Sequence, residues 1–549
     1  MKDTQTTDLN VAEMLAQTFR EIGVTHVYGV PGGGSNLILM ESLAKNGIDF
    51  ILTRTENAAV MMASASAEVT GSIGVAMTTK GPGVSNAING VACSFLERSP
   101  VILITDGFNE KQRDVVTHQF IDQKAMLESI TKHFTKLENP KDDIEHVVKI
   151  AKTNPCGPVC IELTSKKALE LVKSDQLDFE SSDELDIDPE ALNRSIEMIS
   201  KSSNPIVIVG LESREKSKKI QIRKLIDKSN YPVLTTYKGK GIIADEHPSY
   251  TGIFTGGKAE SQIINESDLI IMIGVDPVEF VLQEWQYNIP IIDISVIPYP
   301  IHYFEPDIGL YGRIDKYLDL IINGETDFSS NWTTTKVKML RDTIRQSLHC
   351  KGNNRMGPQD IIEVALKQAE QEKIKSDQSE LPIITVDAGA HMFSAMAFWS
   401  CFEPYDVLIS NGLSTMAYAL PAAIAASINS SDRKVICFTG DGGLLMCLGE
   451  LSTAVEQNLP IIIIVFNDQS LSLIDIKQQA AGMQSIGMRW GNQNFSEVMN
   501  GLGGQGIKVD DLDSFEHAMK NALQTSTPVL IDVLFDSEGY REQLQALRG

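Results

Sequence analysis

Two aspartates lie at the ends of neighbouring apolar runs in the last third of the chain. Asp441 follows the run KVICFT and is flanked by glycines, and Asp468 follows the run PIIIIVFN one helix-like stretch later. A glycine-rich turn that opens a helix presents backbone N–H groups to a phosphate. Because a carboxylate repels phosphate, either no phosphate binds at this turn or a cation lies between the two charges.

Magnesium is the cation that suits this turn. It prefers oxygen ligands in octahedral geometry, commonly one or two carboxylates completed by phosphate oxygens, a carbonyl and water. Asp441, Asp468 and a main-chain oxygen near Ser470 meet that requirement, while Gly442 and Gly443 let the backbone close on the phosphates. Asp441 as a helix N-cap and Asp468 as a turn residue are the alternatives, but their placement across a strand–helix–strand unit favours the metal site.

These residues need a parallel sheet to bring them together, since ligands gather at the carboxyl ends of strands in such sheets. Apolar runs alternate with helix-like stretches in three blocks of the chain, which predicts an α/β protein. Polar stretches near 174–192 and 325–358 are the predicted linkers. The sequence therefore predicts three doubly wound α/β domains, over residues 1–175, 190–330 and 355–549.

The composition excludes several classes of protein. A net charge of -24 argues against nucleic acid and anionic membranes as partners. No run of about 18 apolar residues is present, so no membrane span is expected, and the polar N-terminus predicts a cytoplasmic protein. The seven cysteines are scattered and are expected to be free thiols rather than a metal site.

The glycine–aspartate–glycine turn followed by a strand ending in Asn467-Asp468 resembles the signature of thiamin diphosphate enzymes. That family usually has a second asparagine where Asp468 stands, and a carboxylate there resembles the catabolic acetolactate synthases. The resemblance implies thiamin diphosphate and Mg²⁺ as cofactors, and a pyrimidine-binding, a central Rossmann-like and a diphosphate-binding domain. It implies that the cofactor contacts Gly440, Asp441, Gly442, Gly443, Asp468, Ser470 and Leu471, with Asp441, Asp468 and Ser470 as the metal ligands.

The same resemblance demands a glutamate in the N-terminal domain. In the family this acid hydrogen-bonds the pyrimidine ring and activates the cofactor, and it lies between a strand and a helix. Glu56 lies at such a junction in FILTRTENAAVMM, and the apolar residues after it favour a protonated carboxyl. A first-turn acid that only complements the helix dipole is the alternative, which the two metal carboxylates make less attractive.

Other segments resemble further parts of this family. VYGVPGGGSN resembles the first substrate-side loop, in which Gly33 and Gly34 leave room for substrate, and TTKGPGVSN resembles the SGPGxxN segment. HQFID resembles the HQSMD segment of catabolic acetolactate synthases, which puts His118 and Gln119 near the substrate. SNGLSTMAY resembles the segment that holds the aminopyrimidine, through Ser414 and Met416. VDAGAHMF resembles the segment that contacts the diphosphate, through Gly389, Ala390 and His391.

The resemblance also indicates a reaction. GVDPVEF is similar to a segment of catabolic acetolactate synthases, and the absence of an FDDR run predicts that FAD is not required. Selectivity is assigned to Gly34, Leu473, Ile474 and Lys477. Lys477 stands where the biosynthetic enzymes carry a tryptophan, and we expect it either to hold the carboxylate of an acidic acceptor or to be an exposed lysine.

The leading interpretation is decarboxylation of a pyruvate-like 2-oxo acid and joining of the remaining fragment to a second carbonyl, by a homodimer or homotetramer with the site between subunits. Catalytic roles fall to Glu56, Gln119, His118 and Gly33. One alternative is a simple 2-oxo acid decarboxylase or an aldehyde or 2-hydroxyacyl-CoA lyase with the same cofactor. Another is a nucleotide-binding protein without thiamin chemistry.

Overall fold

The computed structural model describes residues 8–173, 179, 185–280, 284–300, 302–353, 355–376, 379–491 and 493–548. These residues form three six-stranded parallel sheets and one two-stranded antiparallel pair, which confirms the predicted α/β class. They fall into two compact units: residues 8–173 and 179 group with 412–432 and 446–459, and the other described residues form the second unit. Within these ranges, no helix combines the length and the apolar character needed to cross a bilayer.

The N-terminal part of the chain builds the sheet of the first unit. Its strands are β1 (Asp8–Asn10), β2 (His26–Val30), β3 (Asp49–Leu52), β4 (Gly74–Thr78), β5 (Val101–Asp106), β6 (His133–Thr135), β7 (Val159–Leu163) and β8 (Leu171–Lys173). Its helices are α1 (Val11–Glu21), α2 (Ser35–Lys45), α3 (Glu56–Thr70), α4 (Pro82–Leu96), α5 (Glu110–Arg113), α6 (Gln123–Leu127), α7 (Pro140–Lys152) and α8 (Ser165–Ala168). The sheet order is β3-β2-β4-β5-β7-β6, while β1 pairs with β8. Strands β4, β5 and β7 are buried along their whole length, as continuous apolar runs in a covered parallel sheet should be.

The central part forms a sheet with the order β11-β10-β9-β12-β13-β14. Its strands are β9 (Pro205–Val209), β10 (Val233–Thr235), β11 (Tyr250–Ile253), β12 (Leu269–Ile273), β13 (Ile291–Ser295) and β14 (Ile308–Tyr311). Its helices are α9 (Pro189–Lys201), α10 (Lys216–Ser229), α11 (Ser261–Asn265), α12 (Ile314–Asn323) and α13 (Thr334–Ser347). Helix α13 occupies part of the stretch near 325–358 that is predicted as a linker. Val337, Leu340 and Ile344 recur at helical spacing and are buried on one face. Most of the linker predicted near 174–192 lies outside the described residues.

The C-terminal part forms the third sheet, with the order β16-β15-β17-β18-β20-β19. Its strands are β15 (Ile383–Val386), β16 (Val407–Ile409), β17 (Val435–Gly440), β18 (Ile461–Asn467), β19 (Gln505–Val509) and β20 (Val529–Leu534). Its helices are α14 (Pro358–Ser376), α15 (His391–Phe398), α16 (Ala419–Asn429), α17 (Asp441–Met446), α18 (Glu450–Glu456), α19 (Ser472–Ala480), α20 (Phe495–Gly501), α21 (Leu512–Gln524) and α22 (Tyr540–Arg548). Numbered in chain order within each sheet, the strands of the N-terminal and C-terminal sheets follow one identical sequence: second, first, third, fourth, sixth, fifth.

Each sheet has a point at which successive strands turn to opposite sides, and ligands bind at such points in doubly wound proteins. In the N-terminal sheet this point lies between β2 and β4, and in the C-terminal sheet it lies between β15 and β17. The topology therefore marks the turns after these four strands as the places where a ligand should be sought.

In the central sheet the corresponding crevice, between β9 and β12, is filled by the chain's own carboxylates. Glu279 accepts hydrogen bonds from the Leu211 amide at 2.8 Å and from the Thr236 hydroxyl at 2.5 Å. The Tyr299 hydroxyl contacts the Glu212 carboxylate and lies 2.9 Å from a carboxylate oxygen of Asp276. These donors at the crevice are therefore bonded to the chain's own side chains and are not available to a nucleotide diphosphate.

These acids link the stability of the central domain to pH. Burial is the main cause that raises the pKa of Glu212 to about 8 and that of Glu279 to about 7, and it likewise raises the pKa of Asp293 to about 7. Since the folded state holds these protons more tightly than the unfolded state, the stabilisation is complete below the ordinary pKa and is lost as the pH rises through the raised values.

We therefore expect the free energy of unfolding of the wild type, compared with that of Glu212→Gln, to fall between pH 4.5 and about 8. Each unit by which the pKa of Glu212 is higher in the folded than in the unfolded state contributes about 1.4 kcal/mol to this difference. Denaturant titrations at several pH values measure it, and Glu190→Gln, an exposed position at the start of α9, is the control. A difference between wild type and Glu212→Gln that stays constant with pH would contradict the expectation.

Candidate active site

The predicted metal turn lies in the second unit, at the carboxyl ends of β17 and β18. Asp441 begins α17 and is almost completely buried. One carboxylate oxygen accepts from the Gly442 amide at 2.8 Å, and the other accepts from the Gln469 amide at 2.8 Å. Because Gln469 lies two residues after the end of β18, this second hydrogen bond connects the carboxyl ends of β17 and β18. The structure thus brings Asp441 beside Asp468, as the strand–helix–strand spacing predicted.

The charges at this turn are unbalanced. Burial, and next the charge of Asp468, raise the pKa of Asp441 to about 7, and burial raises the pKa of Asp468 to about 6. A divalent cation would relieve both the desolvation and the repulsion. In the described part of the chain no three His, Cys, Asp or Glu side chains converge as a metal site. A cation at this turn therefore needs main-chain and phosphate oxygens to complete its shell, which is the donor set that suits Mg²⁺.

Buried polar atoms without partners surround the same turn. The Ser470 hydroxyl and the His391 Nε2 atom are buried and make no hydrogen bond within the described structure. The His391 ring stacks on the Phe466 ring, with the two ring centres 5.1 Å apart. Burial lowers the pKa of His391 to about 4, so its imidazole is neutral. A Cβ placed on Gly389 would lie 2.8 Å from this ring, and one on Gly440 would lie 3.3 Å from it. These unsatisfied groups and side-chain-free positions fit a diphosphate held between the turns after β15 and β17.

The other predicted residues of the second unit lie on either side of this turn. Ala390 precedes α15 and is buried, as are Gly442 and Gly443. The Leu471 amide donates to the Met488 carbonyl at 2.8 Å, which folds the segment after α19 back over the metal turn. Leu473 packs against the hydrophobic core, whereas Ile474 and Lys477 are exposed. Of the three predicted selectivity residues on this helix, one is therefore partly buried and two are exposed.

Glu56 lies in the first unit as the first residue of α3, after the N-cap Thr55. It is half-buried, and its carboxylate accepts a hydrogen bond from the Asn86 side-chain amide. A Cβ on Gly83 would lie 3.4 Å from the same carboxylate. The glycine–proline–glycine turn after β4 and the predicted activating acid are thus neighbours, which neither motif reveals alone.

Helix α4 also contacts the segment predicted to hold the aminopyrimidine. The Asn89 side-chain amide donates to the Thr415 hydroxyl at 3.0 Å. Asn86 and Asn89 are three residues apart and share a face of the helix, so Glu56 and the segment around Ser414 and Met416 meet the same face of α4. Ser414 has a φ of 52°, a conformation that side chains other than glycine adopt rarely and that recurs at ligand clamps.

Two buried glutamates that the sequence analysis missed hold this region in place. Glu450 of α18 accepts hydrogen bonds from the amides of Arg54 at 2.9 Å and Thr55 at 3.0 Å, directly before Glu56. Glu97 accepts from the Gly412 amide at 2.9 Å, at the start of the Ser414 segment. Their partners are more than 300 residues away in sequence, so no local pattern could have identified them.

The predicted substrate-side loop follows β2. A Cβ on Gly33 would meet nothing within 4 Å, so this position faces open space. A Cβ on Gly34 would instead lie 3.0 Å from the buried carboxylate of Asp106, which also accepts from the Asn36 amide at 3.2 Å. Gly33 is therefore free to border a ligand, and the lack of a side chain at Gly34 is explained by packing.

The HQF segment crosses the end of β4 next to this loop. His118 and Gln119 are exposed, and Gln119 has a φ of 59°. Any Cβ on Gly81 would meet the Gln119 carbonyl. Gln123 of α6 fixes the crossing, because it accepts from the Gly81 amide at 2.9 Å and donates to the Asp106 carbonyl at 3.2 Å. Gly33 and Gln119 thus lie at the turns after β2 and β4, on either side of one switch point, and His118 directly precedes Gln119.

Three segments of the chain match domains of known proteins. Residues 9–126 match the N-terminal TPP-binding domain of thiamine pyrophosphate enzymes, 192–321 the central domain and 387–533 the C-terminal TPP-binding domain. An acetolactate synthase of Bacillus subtilis is 28% identical, with 96% of this chain and 93% of that protein covered. A catabolic acetolactate synthase of Raoultella terrigena is 27% identical, with 96% and 94% covered. A probable acetolactate synthase large subunit of Methanococcus aeolicus is 27% identical, with 96% and 92% covered.

Proposed function

The chain belongs to the thiamine pyrophosphate-dependent enzymes and is acetolactate synthase-like, and from this premise we propose that it is a Mg²⁺-dependent carboligase of 2-oxo acids. With pyruvate, two anions and one proton would give one acetolactate anion and one CO₂. The observation that carries the proposal is the pairing of Asp441 and Asp468 at adjacent strand ends. It is supported by relatives named acetolactate synthase that match nearly the whole chain.

In this proposal the second unit holds the charged end of the cofactor. Asp441, Asp468 and the Ser470 carbonyl are the Mg²⁺ ligands, and the backbone around Gly442 contacts the diphosphate together with the neutral His391. Bound thiamin diphosphate supplies a carbon nucleophile that adds to the carbonyl of a 2-oxo acid and allows CO₂ to leave. The raised pKa values of the two aspartates support a site that is completed by a cation.

In the same proposal the first unit supplies the residue for proton transfer to and from the cofactor. The Glu56 carboxyl would exchange a proton with the aminopyrimidine of bound cofactor, and Asn86 orients that carboxyl through its side-chain amide. Ser414 and Met416 hold the ring edge with main-chain groups. Gly33, His118 and Gln119 border the substrate.

We propose further that no FAD is needed and that two or four copies assemble. Glu212, Asp276 and Glu279 at the central crevice support the first part, because their side chains already accept hydrogen bonds from donors that a nucleotide diphosphate would need there. For the second part we infer, from the resemblance to the family, that Glu56 of one copy serves the metal turn of another. The mass of the cofactor-loaded protein in solution tests this assembly.

The proposed reaction is tested by incubating the purified protein with thiamin diphosphate, Mg²⁺ and pyruvate. We expect pyruvate to disappear and acetolactate to form, measured as the acetoin released by acid treatment, and both to stop when the cofactor is omitted. Acetaldehyde as the only product would replace the carboligase by a simple decarboxylase. No turnover of pyruvate despite cofactor binding would exclude pyruvate as the donor.

Lys477 remains the sequence-based proposal for acceptor choice. If its ammonium holds the carboxylate of an acidic acceptor, Lys477→Ala should lower the rate with 2-oxo acid acceptors relative to aldehydes by about tenfold, the loss of one charge-assisted hydrogen bond. Initial rates over a panel of acceptors measure the ratio. Since the side chain is exposed on α19, an unchanged ratio would identify Lys477 as a solvated surface residue.

A further inference from the structure

A second lysine lies at the substrate side of the first unit. Lys80 follows β4 directly before the Gly81 turn, where the SGPGxxN segment of the family has a serine, and its side chain is half-buried. The ammonium nitrogen lies 5.2 Å from the centre of the Phe108 ring. No described carboxylate pairs with it. A half-buried cation with no counter-ion among the described side chains is suited to bind an anion, since burial of an unpaired charge is costly.

The surroundings of Lys80 are held by an aromatic contact and a backbone hydrogen bond. Phe108 is 8% exposed, and its ring centre lies 5.4 Å from that of Phe120. An aromatic surface therefore lies beneath the ammonium group of Lys80. The Gly81 amide is fixed by Gln123, which leaves the Lys80 backbone little freedom. The open space beside Gly33 belongs to the turn after β2, on the other side of the same switch point. The cation therefore borders the place where a ligand is expected in this fold.

We propose that Lys80, rather than the exposed Lys477, binds the carboxylate of the acceptor 2-oxo acid. This inference rests on the proposed function and deepens it by naming the substrate contact. The donor loses its carboxylate as CO₂, and a cation that stabilises that carboxylate before the reaction would raise the barrier to its loss. The acceptor keeps its carboxylate while its carbonyl carbon forms the new bond and its carbonyl oxygen gains a proton. A lysine contact is thus compatible with the acceptor and unfavourable for the donor.

The test uses the cofactor-loaded protein and a competition between two acceptors, pyruvate and acetaldehyde. Acetolactate arises from the first and acetoin from the second, and the two are distinguished by measuring acetoin before and after acid treatment. We expect Lys80→Met to lower the ratio of acetolactate to acetoin by about 10- to 100-fold, because one charge-assisted hydrogen bond is lost. Lys80→Arg should keep most of the ratio. Lys124→Met, at an exposed position of α6, is the matched control and should leave it unchanged.

A binding measurement separates this inference from the proposed function. Oxamate is an unreactive analogue of pyruvate that retains the carboxylate, and calorimetry gives its affinity for the loaded protein. We expect weaker oxamate binding for Lys80→Met and unchanged thiamin diphosphate binding. If the wild type makes no acetolactate, the proposed function fails, and oxamate binding alone decides the role of Lys80. Equal oxamate affinity in wild type and Lys80→Met, or an unchanged product ratio, would overturn the assignment.

Discussion

Replacing Glu56 by glutamine is expected to lower turnover by about 10²- to 10⁴-fold, the range that a positioned acid or base contributes. Glutamine keeps the shape and the hydrogen-bonding capacity at the start of α3 but cannot exchange a proton. Affinity for thiamin diphosphate should stay almost unchanged, because the charged end of the cofactor is assigned to the turn at Asp441. The measurement is steady-state turnover of pyruvate together with the dissociation constant of the cofactor.

The matched control for this substitution is Glu41→Gln, an exposed glutamate on α2 that pairs with Lys45 on the same face. It should alter neither turnover nor binding. A Glu56→Gln protein with full activity would contradict the assignment of the proton-transfer role. Loss of cofactor binding together with activity would instead identify Glu56 as a structural residue of the α3 N-terminus.

Asp441→Asn should separate the stability of the free protein from its affinity for metal and cofactor. Removing one ligand of the proposed cation should weaken Mg²⁺ and thiamin diphosphate binding by more than the roughly 10- to 100-fold that is typical of indirect partners of a metal. The free protein should be no less stable, because the substitution removes a buried charge that Asp468 repels. Cofactor titration and thermal unfolding without cofactor measure these opposite effects.

Asp510→Asn, at an exposed position after β19, is the control and should change neither quantity. Binding that survives Asp441→Asn would remove this residue from the metal site. A large loss of stability in the cofactor-free protein would show that the carboxylate has a structural role, because its hydrogen bonds to the amides of Gly442 and Gln469 would then outweigh the cost of its burial.

The sequence predicted those residues whose placement depends on local rules. Asp441 and Asp468 each follow an apolar strand of one parallel sheet, whose carboxyl ends lie at one edge. Glu56 follows β3 of a different sheet, at the start of a helix. Glu450 and Glu97 could not be predicted, because their value lies in hydrogen bonds to segments that are distant in sequence. For the same reason, the grouping of residues 412–432 and 446–459 with the first unit has no signal in composition. Helix α13 was missed because polar residues at both of its ends obscured a regular apolar face.

The identical strand order of the N-terminal and C-terminal sheets has an evolutionary consequence. Two sheets with one topology in one chain are what duplication and fusion of an ancestral gene would leave. At the equivalent turn after the third strand, one copy carries Lys80 before its glycines and the other carries Asp441 between them. Equivalent turns of the two sheets thus carry opposite charges. Under such a duplication the two domains would have specialised for different parts of one cofactor without the origin of a new fold.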